Sequence, residues 1–218
     1  MPTPNKNQHP SIRVLVVDDH AIVRDGLARL LVEAGIGCLK AGSAQEACQI
    51  LAGNAGLDVV LLDLNLPDRS GLEVLPEIRT LRPGIAVLVV SMHDETQYGA
   101  RAIALGAMGY LTKNATTEEI VLAVRAVAGG QRHVSPKLAT QIQNGAEGNS
   151  ALERLTDREF QVMHLIGAGK SLAEIAQTLG ISSKTVSTYR ERILAKTGLT
   201  GSLDIMRQVL REGMLGPL

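Results

Sequence analysis

Apolar positions follow two rhythms in turn along this 218-residue chain. Short, predominantly apolar runs stand at Ile12–Val17, Leu57–Leu62 and Ile85–Val90. They lack both the alternation of a half-exposed strand and the length of a buried helix, so they read as buried strands of a parallel sheet. Weaker strands are expected at Cys38–Ala41 and Gly109–Leu111. Between the runs, apolar residues recur every three or four positions, as with Val23, Leu27, Leu30 and Leu31. That spacing predicts helices over about 21–34, 71–81, 95–105 and 117–128. A further helix opens at Ser43, a cap with Glu46 three residues on, and runs to about Ala52. Gly35, Gly37, Pro83–Gly84, Gly106 and Gly129–Gly130 mark the breaks. Five β/α repeats over residues 12–130 predict an α/β fold: a five-stranded, doubly wound parallel sheet with helices on both faces.

The rhythm is lost over 131–150, where Gln, Asn, Gly and Ser collect. A linker is expected there, with helical character retained over Pro136–Ile142. From Leu155 the pattern is helical throughout. Thr156 with Glu159, and Ser171 with Glu174, have capping-box spacing, and Ser182 is a third cap. Helices at about 157–167, 172–179, 183–196 and 202–212 make a second, all-α, four-helix domain over 151–218. The first eleven residues are polar, without the apolar core of a signal peptide, and read as a disordered tail. No run is long and apolar enough to span a membrane. Cys38 and Cys48 have neither metal-site spacing nor a disulfide framework, so both are expected as reduced thiols of a cytoplasmic protein.

Composition and charge refine this picture in two places. With no Trp and a single Phe, the cores are aliphatic and a large aromatic surface for stacking bases is excluded. The formal charge is zero overall, but residues 1–150 carry −2 and residues 151–218 carry +2. Within 184–196, Lys184, Arg190, Arg192 and Lys196 face only Glu191. A bland solvated helix face would explain that run by itself, so its context decides.

Candidate chemistry gathers where the strands end. Asp18 and Asp19 close the first run, Asp63 the third strand, and Ser91 the fourth, while Lys113 follows the fifth. All five fall at the carboxyl edge of the sheet, where open α/β folds bind ligands. One such Asp is commonly a turn or cap residue. Three clustered carboxylates repel one another unless a cation joins them, and an all-oxygen site suits Mg²⁺. Each residue has a task if the chemistry is phosphorylation of a carboxylate. Asp63 would be the nucleophile. Asp19 with Asp18 would bind Mg²⁺, with Asp63 and the backbone carbonyl near Asn65 completing the protein ligands. Ser91 would donate to one phosphoryl oxygen, and Lys113 would pair with another.

These segments, VLVVDDHAIVRDGL, VVLLDLNLPDRSGLEVL, LVVSMHD and GAMGYLTKNAT, resemble the receiver domain of two-component response regulators over about 12–130. The resemblance implies phosphorylation of Asp63 by a sensor histidine kinase, with Asp18 and Asp19 on Mg²⁺ and Ser91 and Lys113 as switch residues. It also makes Tyr110 the aromatic switch, expected to turn inward when Ser91 moves toward the phosphoryl group. Met92 is bulkier than the residue common after the hydroxyl and is expected to narrow access to Asp63, and Asn114 departs from the usual proline or acid.

In the second domain, helices 172–179 and 183–196 have the arrangement of a helix-turn-helix, the second of the pair entering the major groove. Lys184, Thr185, Thr188, Arg192 and Ser187 fall on its outer face. Lys184, Arg190 and Lys196 are candidates for phosphate contacts, and Ser187, Thr188 and Glu191 for base edges. Ser182 and the amides at the helix start offer a further phosphate clamp. A four-helix bundle binding protein is the competing reading of charge and periodicity. The stretch TDREFQVMHLIGAGKSLAEIAQTLGISSKTVSTYRERILAKTG is similar to the LuxR-type module of NarL/FixJ-type regulators. That similarity implies a near-palindromic double-stranded DNA site, a homodimer when active, supported by helix 202–212, and RNA polymerase as a candidate further partner. Ser187 replaces a lysine common in the family, and Glu191 a residue basic in some members. The implied protein is a phosphorylation-controlled transcription regulator, not a turnover enzyme. The alternatives are a pseudo-receiver governed by dimerisation or protein contact, and a metal-dependent phosphatase. The latter lacks a second carboxylate two residues after Asp63, where Asn65 stands.

Overall fold

Five parallel strands in the order β2-β1-β3-β4-β5 form the sheet of the computed structural model: β1 Arg13–Val17, β2 Gly37–Ala41, β3 Val59–Leu62, β4 Ala86–Ser91 and β5 Gly109–Thr112. The structure describes residues 12–53, 56–145 and 155–211; the tail at 1–11, residues 54–55, residues 146–154 and residue 212 onward lie outside the described residues. Helices α1 (Ala21–Glu33), α2 (Ala44–Gly53), α3 (Gly71–Leu81), α4 (Glu95–Ala104) and α5 (Thr117–Ala128) follow the strands in turn. β3 and β4 are buried along their whole length, as the uniformly apolar runs required.

Alternate side chains serve opposite faces. On one face Val14, Val16, Val59, Leu61, Leu88 and Val90 pack with Leu31 of α1 and Ile120, Val124 and Val127 of α5. β3 starts two residues later than expected, because Asp58 is used at the sheet end: its carboxylate accepts the Arg13 N–H at 2.8 Å, and its own N–H donates to Arg13 O at 2.9 Å.

The described chain divides into two compact units, one reaching Met92 and adding Arg101–Val134, the other comprising His93–Ala100 and the residues from Ser135 on. The segment expected to be a linker, with helical character over Pro136–Ile142, is structured ahead of that helix as well. In the first unit, His133 lies beside Gly109, with His133 N–H donating to Met108 O at 2.9 Å. A Cβ on Gly109 would lie 2.5 Å from His133 O, so only glycine permits this approach along the β5 edge. In the second unit, α6 (Pro136–Gly145) is longer than the expected 136–142. Leu138 is fully buried, Ser135 Oγ donates to Glu95 at 2.5 Å, and Gln141 Nε2 donates to Thr96 O at 3.0 Å.

The second unit also holds α7 (Asp157–Gly167), α8 (Leu172–Leu179), α9 (Ser183–Thr197) and α10 (Ser202–Arg211). Both expected capping boxes form, Thr156 with Glu159 and Ser171 with Glu174. Gly180 ends α8 at φ 64°, a left-handed turn that glycine adopts without strain. Val186 and Ile193 of α9 and Ile175 and Ala176 of α8 are buried, with Ile205 and Val209 of α10. A Cβ on Gly167 would meet Val209 at 2.5 Å, so α7 and α10 touch at that point.

Candidate functional site

The strand ends converge because the sheet is in register there. Val17 pairs with Ala41 and Leu62, Leu62 with Val89, and Ser91 with Thr112. The ladder continues one step beyond: Asp18 N–H donates to Ala41 O, Asp63 N–H to Val17 O and Lys113 N–H to Ser91 O, at 3.1, 2.9 and 2.7 Å. Asp18, Asp63, Ser91 and Lys113 therefore leave the sheet together, and each is buried or nearly so. Asp19 follows at the solvent boundary.

Lys113 Nζ lies 2.6 Å from Asp18 Oδ2 and 2.7 Å from Asp63 Oδ2. Burial pushes the Asp63 carboxyl above the ordinary range, and the Asp18 charge adds to that, while Lys113 and the Asn65 amide pull the other way. Burial opposes the charge on Lys113, but the two carboxylates outweigh it and hold the ammonium above its usual range. One cation thus serves two buried acids, and Asp63 Oδ1 has no hydrogen-bond partner among the described residues. An orphaned, buried carboxylate oxygen costs free energy until a donor or a cation reaches it. Asp18, Asp19, His20 and Asp63 offer ligand atoms within 4.8 Å of one another, a donor set that fits a hard divalent cation.

The loop after β3 is shaped by close contacts. A Cβ on Gly71 would lie 2.2 Å from Asp63 O, so α3 begins against the Asp63 backbone. Gly71 N–H donates to Leu64 O at 2.8 Å, and Asn65 bridges to Ser70. Asp68 accepts the Ala44 and Gln45 amides at 3.0 and 2.8 Å, fixing the loop to the α2 N-terminus. One feature differs from the sequence reading. Tyr110 is already buried, at 2% exposure, so this structure holds the ring inside. Met92, next to Ser91, is 66% exposed. His20 and the Asp68 clamp escaped the sequence reading; an imidazole next to two strand-end acids was the available signal for the first.

On the second unit, Lys184, Thr188, Glu191 and Arg192 are exposed on α9, and Thr185, Ser187 and Arg190 are half-buried. Ser182 caps α9 by accepting the Thr185 N–H at 3.1 Å, and the two hydroxyls lie 2.8 Å apart. Ser187 and Thr188 donate to Ser183 O and Lys184 O one turn back, both at 3.1 Å. Arg190 Nε donates to Ser202 Oγ at 3.0 Å. Lys196 Nζ lies 2.6 Å from the buried Glu159, so its charge ties α9 to the α7 capping box. Among the cationic residues of α9, Lys184 and Arg192 stand on the exposed face.

Two family models match the chain: the response regulator receiver domain over residues 14–125 and the luxR family of bacterial regulatory proteins over 153–209. The response regulator GacA of Pseudomonas aeruginosa is 36% identical over 209 residues, covering 94% of this chain and 98% of its own length. The response regulator UvrY of Escherichia coli is 34% identical, covering 93% of this chain and 95% of its own. Among solved structures, a LuxR-family two-component response regulator from Aurantimonas has a TM-score of 0.56 at 34% identity, covering 62% of this chain and 96% of its own. RcsB from Salmonella enterica, bound to a promoter with the phosphomimetic BeF3-, has a TM-score of 0.59 over 92% of this chain and 99% of its own. At 22% identity that last likeness speaks for the fold.

Proposed function

The chain belongs to the response regulators that join a receiver domain to a LuxR-type DNA-binding domain, and from that premise we propose that Asp63 is the phosphoacceptor through which it controls transcription. The observation that carries this is the pairing of Lys113 with both Asp18 and Asp63 around the unpartnered Asp63 Oδ1. The donor is the phosphohistidine of a sensor kinase. An oxygen of Asp63 bonds to phosphorus, the P–N bond breaks, the imidazole leaves, and an acyl phosphate is formed. Asp18, Asp19, Asp63 and the Asn65 carbonyl would hold Mg²⁺, which would supply the positive charge that lets two anions approach. Lys113 balances charge on the phosphoryl oxygens, and the Ser91 hydroxyl donates to one of them.

The new group brings added negative charge and three acceptor oxygens, so Lys113 and Ser91 are drawn toward it. Tyr110, inside already, repacks with β4 and β5, shifting the population between two packed states. The active form is a homodimer on near-palindromic double-stranded DNA, with RNA polymerase as a further partner. Two linked half-sites gain from effective concentration. Lys184, Arg190 and Arg192 contact phosphates, and Ser187, Thr188 and Glu191 face base edges. Ser182 and Thr185 fix the helix start whose amides meet a phosphate. The protein acts in the cytoplasm. Incubation with acetyl phosphate and Mg²⁺, followed by footprinting on random-sequence selected DNA, tests the proposal. Labelling confined to Asp63 and tighter, dimeric footprints are expected; identical footprints for labelled and unlabelled protein would overturn it.

A further inference from the structure

We propose that His20 is a nitrogen donor to the cation site, giving the pocket a preference for first-row divalent cations that accept imidazole over Mg²⁺. This rests on the reading of the acidic pocket as a cation site and names which cations it selects.

The pocket has two distinct sides. Lys113 occupies the Oδ2 atoms of Asp18 and Asp63. Asp18 Oδ1 and Asp19 Oδ1 face a different neighbour: His20 Nδ1 lies 2.7 Å from Asp19 Oδ1 and 3.5 Å from Asp18 Oδ1. The His20 main-chain N–H donates to Asp18 Oδ1 at 2.8 Å, so backbone geometry fixes the ring's origin beside that oxygen. Asp63 Oδ1 is buried without a partner among the described residues. One atom from each of these four residues lies within 4.8 Å of every other. Donors bound at about 2.1 Å to one ion stand roughly 3 Å apart when adjacent and about 4.2 Å apart when opposite, so a small closure brings the four onto one centre.

The imidazole has the freedom to make that closure. Its side chain is 66% exposed, so the ring can turn without opening the core. Asp18 is held in place by contrast: Arg24 donates to its carbonyl at 2.6 Å, and Lys113 holds its carboxylate. A fixed acid pair beside an exposed imidazole is a site that can take a cation of either hardness. With oxygen donors it accepts Mg²⁺; an added nitrogen favours Co²⁺, Ni²⁺ or Zn²⁺, which rank above the harder divalents for such mixed sites.

The test is calorimetric titration of the full-length, untagged chain with Mg²⁺ and, separately, with Co²⁺, whose visible absorption reports its ligands. Wild type, His20→Ala, His20→Gln and, as the control locating the ion, Asp63→Asn are compared. Both His20 variants are expected to weaken Co²⁺ by about 10- to 100-fold, to change Mg²⁺ by no more than about threefold, and to shift the Co²⁺ band. A His20 variant that changes both cations by the same factor, or tightens both, overturns the assignment and makes His20 a competitor for the carboxylates. Wild type that binds neither cation, or Asp63→Asn that alters neither, overturns the underlying cation reading instead.

Discussion

Lys113 and Asp63 lie 2.7 Å apart at the end of the sheet, each almost wholly shielded from water, whereas Lys184 and Arg192 stand on the exposed face of α9. The same kinds of charge follow different rules in the two places. Inside, a charge is worth what its partners make it, because desolvation is large and a missing partner leaves the remainder stranded. Outside, each cation contributes a small, salt-screened increment, and several together make the binding surface. The receiver site should therefore fail abruptly when one residue changes, and the DNA surface should fail by degrees.

The largest effect is expected from Asp63→Asn, which removes the proposed acceptor atom and should abolish acyl-phosphate labelling while the fold persists; mass spectrometry after acetyl phosphate treatment checks it. Residual labelling on Asp18 or Asp19 would show that the acids share the role and would blunt the contrast. Next comes Lys113→Ala. It leaves Asp18 and Asp63 facing each other without a cation, with an expected loss of about 3 kcal/mol in the receiver unit. Because the defect is excess negative charge, millimolar Mg²⁺ should restore part of it, read as a rise in Tm that wild type shows less strongly. A variant as stable as wild type would mean that water already shares the work of Lys113.

The helical unit has its own brittle point, where α7 meets α10. Gly167→Ala inserts a Cβ within 2.5 Å of Val209 and should cost about 1–3 kcal/mol through overpacking between α7 and α10. Chemical denaturation followed by far-ultraviolet circular dichroism would read it. A neutral result would show that α10 shifts freely on α7.

Glu159 supplies a milder, pH-dependent test. Burial works against its carboxylate, but hydrogen bonds from Lys196 and Thr156 outweigh it and hold its pKa below the usual range. A lowered folded-state pKa means stability that is complete above the ordinary glutamate range and is lost as pH falls through the lowered value. The helical unit should thus melt earlier below that range, and Glu159→Gln should flatten its acid limb; an unchanged slope would count against the ion pair.

The sequence was informative where one residue's surroundings are set by its own strand. Asp18, Asp63, Ser91 and Lys113 each follow an apolar run, and an in-register parallel sheet brings such ends together without further information. The capping boxes were legible for a similar reason, since both partners lie three residues apart. Contacts between distant segments were not. The order β2-β1-β3-β4-β5 leaves no local trace, and neither does the approach of His133 to Gly109. The engagement of Lys196 with Glu159 spans 37 positions, and local charge counting placed that lysine with the phosphate-contact group.

That last difference gives the finest test of the contrast between buried and exposed charge, because it sets two lysines of one helix against each other. Lys184 is exposed near the start of α9, and Lys196 bonds Glu159 near its end. Lys184→Gln should reduce the slope of log K against log salt by about one contact, leaving Tm unchanged. Lys196→Gln should do the reverse, lowering stability by about 1 kcal/mol or less, since the lysine is partly exposed, and leaving the slope alone. Fluorescence anisotropy over a salt series on labelled operator DNA, paired with thermal melts, separates the two. If Lys196→Gln also lowers the slope, its ammonium meets DNA phosphate while holding Glu159, and a charge can then serve fold and surface at once.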